Sequence, residues 1–421
     1  MKPLASGQET IIAALDVGSS KVACLIAERT ASGTFHVKGV GNRACNGGAV
    51  GGAIVDMELT EKAIRASVDQ AEKMAGITVS DVMLTFSGGE PKSQVVEVEV
   101  DVTGHAVSDA DITKAMEQAK AQIDFDEEGL LHAFPVAYAV DGHFGPREPV
   151  GMCGKKLSVA VLIVTAASGP LRNLKACVRR AHLNVSSVVL TPFAAGLSCL
   201  VEDEAKMGAA CIDMGGGTTG ISIFAQGALV HAEVIPLGGS QVTEEVARGL
   251  LTPFEHAERL KTFNGAAIVD PADARLEIEV PQVGEEDSDQ MARMPRSALT
   301  SIIQKEMELL FTTIAERLDA SGFSGVAGKR VVLTGGVAQC EAVRDLATRV
   351  LGRQVRIGRP RTIEGLPVAA QMPNFSALAG LLEYAVRRPK EVFRSDNKKH
   401  DETTGATGPL GRMVQWVRDN F

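Results

Sequence analysis

Residues 209–224, AACIDMGGGTTGISIF, decide the fold: an apolar run, Asp213, the glycines Gly215, Gly216 and Gly217, then Thr218 and a second apolar run. Two strands joined by a tight turn satisfy that pattern, because glycine leaves no Cβ over the turn and accepts backbone angles that other residues avoid. The N–H groups of such a turn can close on an anion, and a phosphate chain fits. Asp213 has a different task. A carboxylate facing phosphates requires a divalent cation between them, and hydrated Mg²⁺ suits that place. Alone, Asp-x-Gly is also an ordinary hairpin corner. Residues 11–27, IIAALDVGSSKVACLIA, repeat the pattern, with Asp16 followed by Gly18, Ser19, Ser20 and Lys21. Two copies imply a duplicated domain whose hairpins hold one nucleotide between them.

The composition is consistent with such a molecule. At 421 residues the chain exceeds what one core usually supports, so two or more domains with a cleft are expected. A net charge of −9 speaks against nucleic acid as a partner. Residues 1–10 are polar and the apolar run from Ile11 stops at Asp16, which resembles no signal peptide. No stretch approaches the ~20 apolar residues of a membrane span. The seven cysteines are scattered without a C-x-x-C pair, which reads as buried free thiols in a reducing compartment. Neither G-x-x-x-x-G-K-[ST] nor a strand-to-helix G-x-G-x-x-G occurs, so P-loop and Rossmann folds are set aside.

Along the chain, the spacing of Ala63, Ile64, Val68 and Ala71 predicts a helix ending at Gly76. From about Gly88 to Lys156 the texture changes to a small α+β insertion, with VVEVEVDV at 95–102 as a half-buried strand and a helix opened by Ser108 and Asp111. The first domain then resumes with the strand Leu157 to Thr165. Gly238 and Gly239 permit close approach of a ligand. In 253–262, PFEHAERLKT, Glu258 and Lys261 share a helical face, which by itself reads as a surface ion pair. Residues 268–280 read as β. Leu299, Ile302, Ile303, Met307, Leu310, Ile314 and Leu318 form one helical stripe. Residues 329–339, KRVVLTGGVAQ, place Gly335 and Gly336 between a strand and a helix, an arrangement that aims N–H groups at a ligand.

Past Arg388 the sequence has too few apolar residues to offset chain entropy, so 390–408 reads as a disordered tether. It leads to 409–421, PLGRMVQWVRDNF, in which Leu410, Met413, Val414, Val417 and Phe421 share one helical face with Trp416 beside it. Such a helix is about 20 Å long, too short to span a bilayer but suited to lying in its interface. Arg412 and Arg418 suit anionic lipid, and oligomerisation would strengthen a weak single contact.

Together these segments resemble the actin superfamily and, within it, the FtsA family of bacterial cell-division proteins, over essentially the whole chain. LDVGSSKVACLIAE and IDMGGGTTGISIF resemble the two phosphate loops, VVLTGGVAQ the adenosine loop, and MVQWVRDNF the membrane-targeting helix. The resemblance implies an α/β actin-like fold: two duplicated ribonuclease-H-like domains around a nucleotide cleft, each with a small subdomain. The implied division is 8–87 with 157–202, the insertion 88–156, then 203–239 with 329–389, the subdomain 240–328, the linker 390–408 and the helix 409–421. It implies ATP and Mg²⁺ as cofactors, with the Glu258 and Lys261 pair flanking the adenine. It further implies filament formation, anchoring of FtsZ to the cytoplasmic face of the membrane at the division site, and other division proteins on the insertion. The FtsZ C-terminal peptide would dock near Arg296, Leu299, Ile302 and Ile303. Where chaperone-type relatives carry a carboxylate to orient water, this chain has Thr191, which cannot act as a base near neutral pH, so tight binding with slow hydrolysis is expected. Two other readings of the fold are a small-molecule phosphotransferase and a pilus-assembly scaffold; the terminal helix counts against both.

Overall fold

The computed structural model describes residues 11–30, 33–123, 129–145, 148–284, 291–325, 330–361 and 363–387. Both glycine-cornered hairpins form, and each seeds a sheet. β1 (Ile11–Val17) and β2 (Lys21–Arg29) run antiparallel, and β3 (Phe35–Ala44) extends the pair. A short ribbon, β4 (Ala49–Val50) and β5 (Ala53–Ile54), turns through Gly51 and Gly52. α1 (Met57–Ala75) begins where the Asp56 carboxylate accepts from the N–H groups of Glu58 and Leu59. It ends at Gly76, whose φ of 71° lets its N–H return to the Glu72 carbonyl. The helix lies so close over β3 that a Cβ on Gly39 or Gly41 would overlap the backbone of Ala71 or Ser67. β6 (Asp81–Phe86) then pairs parallel to β1.

The insertion has its own core. β7 (Lys92–Asp101), β8 (Leu130–Val140), β9 (His143–Phe144) and β10 (Lys156–Thr165) lie in the order β7-β10-β8-β9. α2 (Asp109–Ala121) packs on them through Ile112 and Met116 against Val98, Val100 and Leu157. The Ser108 and Asp111 cap forms, with the Asp111 carboxylate accepting the Ser108 N–H at 2.9 Å. The strand at 157–165, which the sequence pattern returns to the first sheet, instead sits between β7 and β8. It is buried on both faces, so its residues mark a central strand without marking which sheet it is central to. After α3 (Ser168–Arg180), β11 (Asn184–Leu190) makes the return, giving the order β11-β6-β1-β2-β3.

The second half opens with α4 (Thr191–Cys199) and α5 (Glu202–Met207), then β12 (Ala209–Met214), β13 (Thr219–Ala225) and β14 (Ala228–Ile235). Glu233 of β14 pairs with Lys92 of β7, so the insertion continues the second sheet. α6 (Gly239–Leu250) and α7 (Phe254–Asn264) follow. The sequence reads 268–280 as β throughout, but Asp270 and Pro271 start a 3-10 turn over Pro271–Arg275, and only β15 (Glu277–Val280) is strand. It pairs with β16 (Ala292–Pro295) ahead of α8 (Arg296–Ala320), whose expected stripe is buried apart from the half-buried Ile302.

β17 (Arg330–Thr334), α9 (Val343–Leu351), β18 (Gln354–Ile357) and α10 (Ser376–Arg387) complete the described chain. α10 packs on β1, β2 and β6, and α4 on β12 and β13, so the two helices form the layer between the sheets. They cross at Gly380, where a Cβ would overlap the Ala194 carbonyl. Cys24, Cys45, Cys177, Cys199 and Cys211 are buried free thiols, Cys340 is half-buried and Cys153 exposed. Residues 388–421, with the tether and the amphipathic helix, lie outside the described residues.

Candidate functional site

The two hairpins share one turn hydrogen bond and one register. The Gly18 N–H donates to the Lys21 carbonyl at 2.9 Å, and the Gly215 N–H to the Thr218 carbonyl at 2.8 Å. Asp16 faces Ala23 across its hairpin and Asp213 faces Gly220, the same offset in both. Each acid-bearing strand also has a parallel neighbour, β6 beside β1 and β17 beside β12. Each neighbour carries a threonine near its end: Thr85, next to last in β6, donates its hydroxyl to Asp16, whereas Thr334, last in β17, pairs with Asp213 in register.

The turns meet tip to tip. A Cβ on Gly216 would overlap the Ser20 hydroxyl, and one on Gly217 would overlap Ser19 and fall 2.8 Å from the Gly51 nitrogen. These two glycines therefore serve the approach of the opposite hairpin as well as any anion. Thr218 donates to the Ser87 hydroxyl at 3.3 Å, closing the same seam. Gly51, at the turn of the β4–β5 ribbon, thereby reaches the second phosphate-type turn. Gly51, Thr85 and Ser87 join the site through sheet register and crossing distances, for which a single sequence carries no signal.

The remaining glycines gather around the second turn. The Gly239 and Ser240 N–H groups at the start of α6 donate to the Gly215 and Gly216 carbonyls at 2.9 and 2.7 Å. Those donors are thus committed to the turn, and Gly238 fits beneath it only without a Cβ, which would lie 2.6 Å from the Gly215 carbonyl. Glu258 and Lys261 are no free surface pair. The Lys261 ammonium donates to Glu258 and Thr243 at 2.6 Å each and to the Gly239 carbonyl at 3.0 Å, tying α7 to the start of α6. A Cβ on Gly239 would lie 3.0 Å from Val337, which brings the loop after β17 to the same place. Gly335, at φ +88°, sits on the Asp213 carboxylate, where a Cβ would come within 2.5 Å of Oδ1. Gly336 faces open space. A 3-10 turn, Val337–Gln339, stands between Gly336 and α9, so that helix does not aim its N-terminus at the glycines as its sequence suggests.

Three charges converge here. Burial raises the Asp16 carboxyl above its usual range, against the Thr85 hydrogen bond and Lys21, which lower it. Burial, then the neighbouring Asp16, pushes Asp213 up to about 8. Burial pulls Lys21 down to about 8, opposed by Asp16 and Asp213. Two raised carboxyls facing one another are groups that an incoming cation would ionise. Their hard oxygen donors suit Mg²⁺ held through water. No cluster of three or more His, Cys, Asp or Glu that could hold a metal ion stands among the described residues.

The peptide-docking residues fall elsewhere. Leu299 and Ile303 are 0% and 1% exposed and belong to the core, and Ile302 packs beneath Gly249. Arg296 donates to the Asn264 carbonyl at 2.7 Å, to Asp273 at 2.9 Å and to Glu341 at 2.6 Å. These four residues hold α8 in place, and a helical stripe in sequence does not distinguish a buried face from a docking face. Leu410, Met413, Val414, Trp416, Val417 and Phe421 lie outside the described residues. Thr191 opens α4 next to Pro192, which packs under Gly220.

Comparison with known proteins agrees with this architecture. The family described as cell division protein FtsA matches residues 210–380, and the SHS2 domain inserted in FtsA matches residues 88–165. The FtsA of Agrobacterium fabrum is 40% identical over 100% of this chain and 97% of its own. Those of Pseudomonas aeruginosa and Escherichia coli are 33% and 31% identical, each over 98% of both chains. Among solved structures, the PilM-PilN type IV pilus biogenesis complex superposes with a TM-score of 0.64 at 16% identity, covering 90% of this chain and 99% of that one. MreB5 of Spiroplasma citri bound to ADP gives 0.51 at 12% identity, covering 90% and 97%. These likenesses establish the actin-like fold. With full-length identity to cell-division relatives and the family's own inserted domain in place, the chain belongs to the FtsA family of cell-division proteins.

Proposed function

We propose that this chain binds ATP with Mg²⁺ between its two hairpins and works as a membrane-tethered, self-associating anchor for FtsZ at the division site. The observation that carries the nucleotide reading is the tip-to-tip meeting of two equivalent turns with Asp16, Asp213 and Lys21 at the junction. Turn N–H groups and Lys21 would hold the phosphates, and the Glu258 and Lys261 pair with Gly335 and Gly336 would border the base. Mg²⁺, when bound, would neutralise phosphate charge beside Asp16 and Asp213. With Thr191 in place of a carboxylate, nucleotide would act as a closure and assembly switch with slow turnover. The domain division follows the resemblance, with the insertion carried through β10. The tail, 409–421, would hold the chain to the cytoplasmic face of the membrane, and the subdomain 240–328 would take the FtsZ tail through side chains other than the buried Leu299 and Ile303. Sedimentation of the full chain and of one ending at Pro389 with anionic vesicles tests the anchor. FtsZ co-pelleting with the full chain alone supports the proposal, and equal pelleting of both chains removes the membrane role.

A further inference from the structure

Lys21 is the one site residue whose surroundings the hairpins do not explain. Its Nζ is buried without a hydrogen-bond partner among the described residues. It feels both Asp16 and Asp213 yet bonds to neither, and it sits 3.4 Å from the centre of the Phe375 ring. A buried ammonium with three unspent donors costs stability unless something offsets its charge. An aromatic face supplies that offset without consuming a donor.

The ring is held from both sides. Phe375 ends the 3-10 turn Pro373–Phe375 and is 7% exposed. On one side the Pro373 carbonyl accepts from the Gly335 N–H at 3.2 Å and from the Thr334 hydroxyl at 3.1 Å. On the other, the Ser376 hydroxyl bonds Thr334 at 2.6 Å and the Ser376 carbonyl accepts from Ser198 at 2.7 Å. The ring is therefore fixed to the end of β17, the strand that also places Gly335 on Asp213.

We propose that Phe375 is a positioning residue whose ring face holds the Lys21 ammonium off the two carboxylates, leaving its N–H donors for a phosphate and the carboxylates for a hydrated cation. The proposal rests on the nucleotide reading above. Without the ring's π-face, the nearest source of offsetting charge is Asp16 or Asp213, and an ion pair there would consume both partners the ligand needs. The contact also links the first hairpin to the start of α10.

Stepwise fluorination of Phe375 tests this, because fluorine drains the π-face with little change of shape. Full-length protein carrying 4-fluoro-, 3,5-difluoro- or 3,4,5-trifluorophenylalanine at 375 is titrated with Mg-ATP by calorimetry with Lys21 intact, and its thermal midpoint without nucleotide is followed with Lys21 intact and with Lys21→Met. The expected result is a dissociation constant that rises with each fluorine, about tenfold for the trifluoro ring, and a midpoint that falls along the series with Lys21 intact and stays flat in Lys21→Met. A merely structural ring would give the same series in both backgrounds. Binding by the unsubstituted chain with a flat series overturns the proposal alone. Absence of Mg-ATP binding by the unsubstituted chain overturns the nucleotide reading and the proposal together.

Discussion

Asp213→Asn should stabilise the empty protein while destroying its nucleotide response. The Asp213 carboxyl is raised from 3.8 to about 8, first by burial and then by Asp16. Between those values the folded chain holds a proton that the unfolded chain has lost, so this group makes stability fall as pH rises from about 4 towards 8. At pH 7 the gap of roughly three units corresponds to about 4 kcal/mol, at about 1.36 kcal/mol per unit. Asp213 is half-buried, and solvent screening brings the expected cost to about 2 kcal/mol. Asparagine keeps the shape and removes the charge. Thermal unfolding without nucleotide and in EDTA should place the variant's midpoint about 4 °C above the parent at pH 7.5, with the difference shrinking towards pH 5. Mg-ATP should then raise the parent's midpoint and leave the variant's unmoved. A variant less stable than the parent at every pH, or a difference indifferent to pH, would refute the assignment of a strained, proton-holding carboxyl at this junction.

Gly380→Ala places a Cβ against the Ala194 carbonyl at the α4–α10 crossing, with backbone on the far side that cannot move aside. Overpacking of this kind costs about 1–3 kcal/mol, so the thermal midpoint should drop by several degrees and the drop should persist with nucleotide bound. Trp416→Glu should release the full chain from anionic vesicles in a flotation assay and leave Mg-ATP affinity unchanged. Loss of both would mean that the tail packs on the body.

Much of the fold is legible in the sequence where a local rule acts. The hairpins declare themselves through Asp-x-Gly corners between apolar runs, the start of α2 through Ser108 and Asp111, and the inner face of α8 through its 3.6-residue stripe. Asp16, Lys21 and Asp213, which the structure brings together, stand at those corners, and Gly335 at the glycine pair after a strand. What the sequence hides depends on partners distant in the chain. β10 has the burial of any central strand, and only its pairing with β7 and β8 assigns it to the insertion. Thr85 reaches Asp16 because β6 runs parallel to β1 in one register, and Phe375 reaches Lys21 across more than three hundred residues. Arg296, which the resemblance places at a peptide-docking site, has Asp273, Glu341 and the Asn264 carbonyl closed around it.

On the proposed function, both hairpins grip one triphosphate. Hydrogen–deuterium exchange of the full-length chain with and without Mg-ATP reports on each hairpin separately, through peptides covering 11–27 and 209–224. Both should slow together at the same nucleotide concentration, and neither should slow when Asp213 is replaced by asparagine. Protection of one hairpin alone, or of neither at a concentration that saturates binding, would contradict that shared grip.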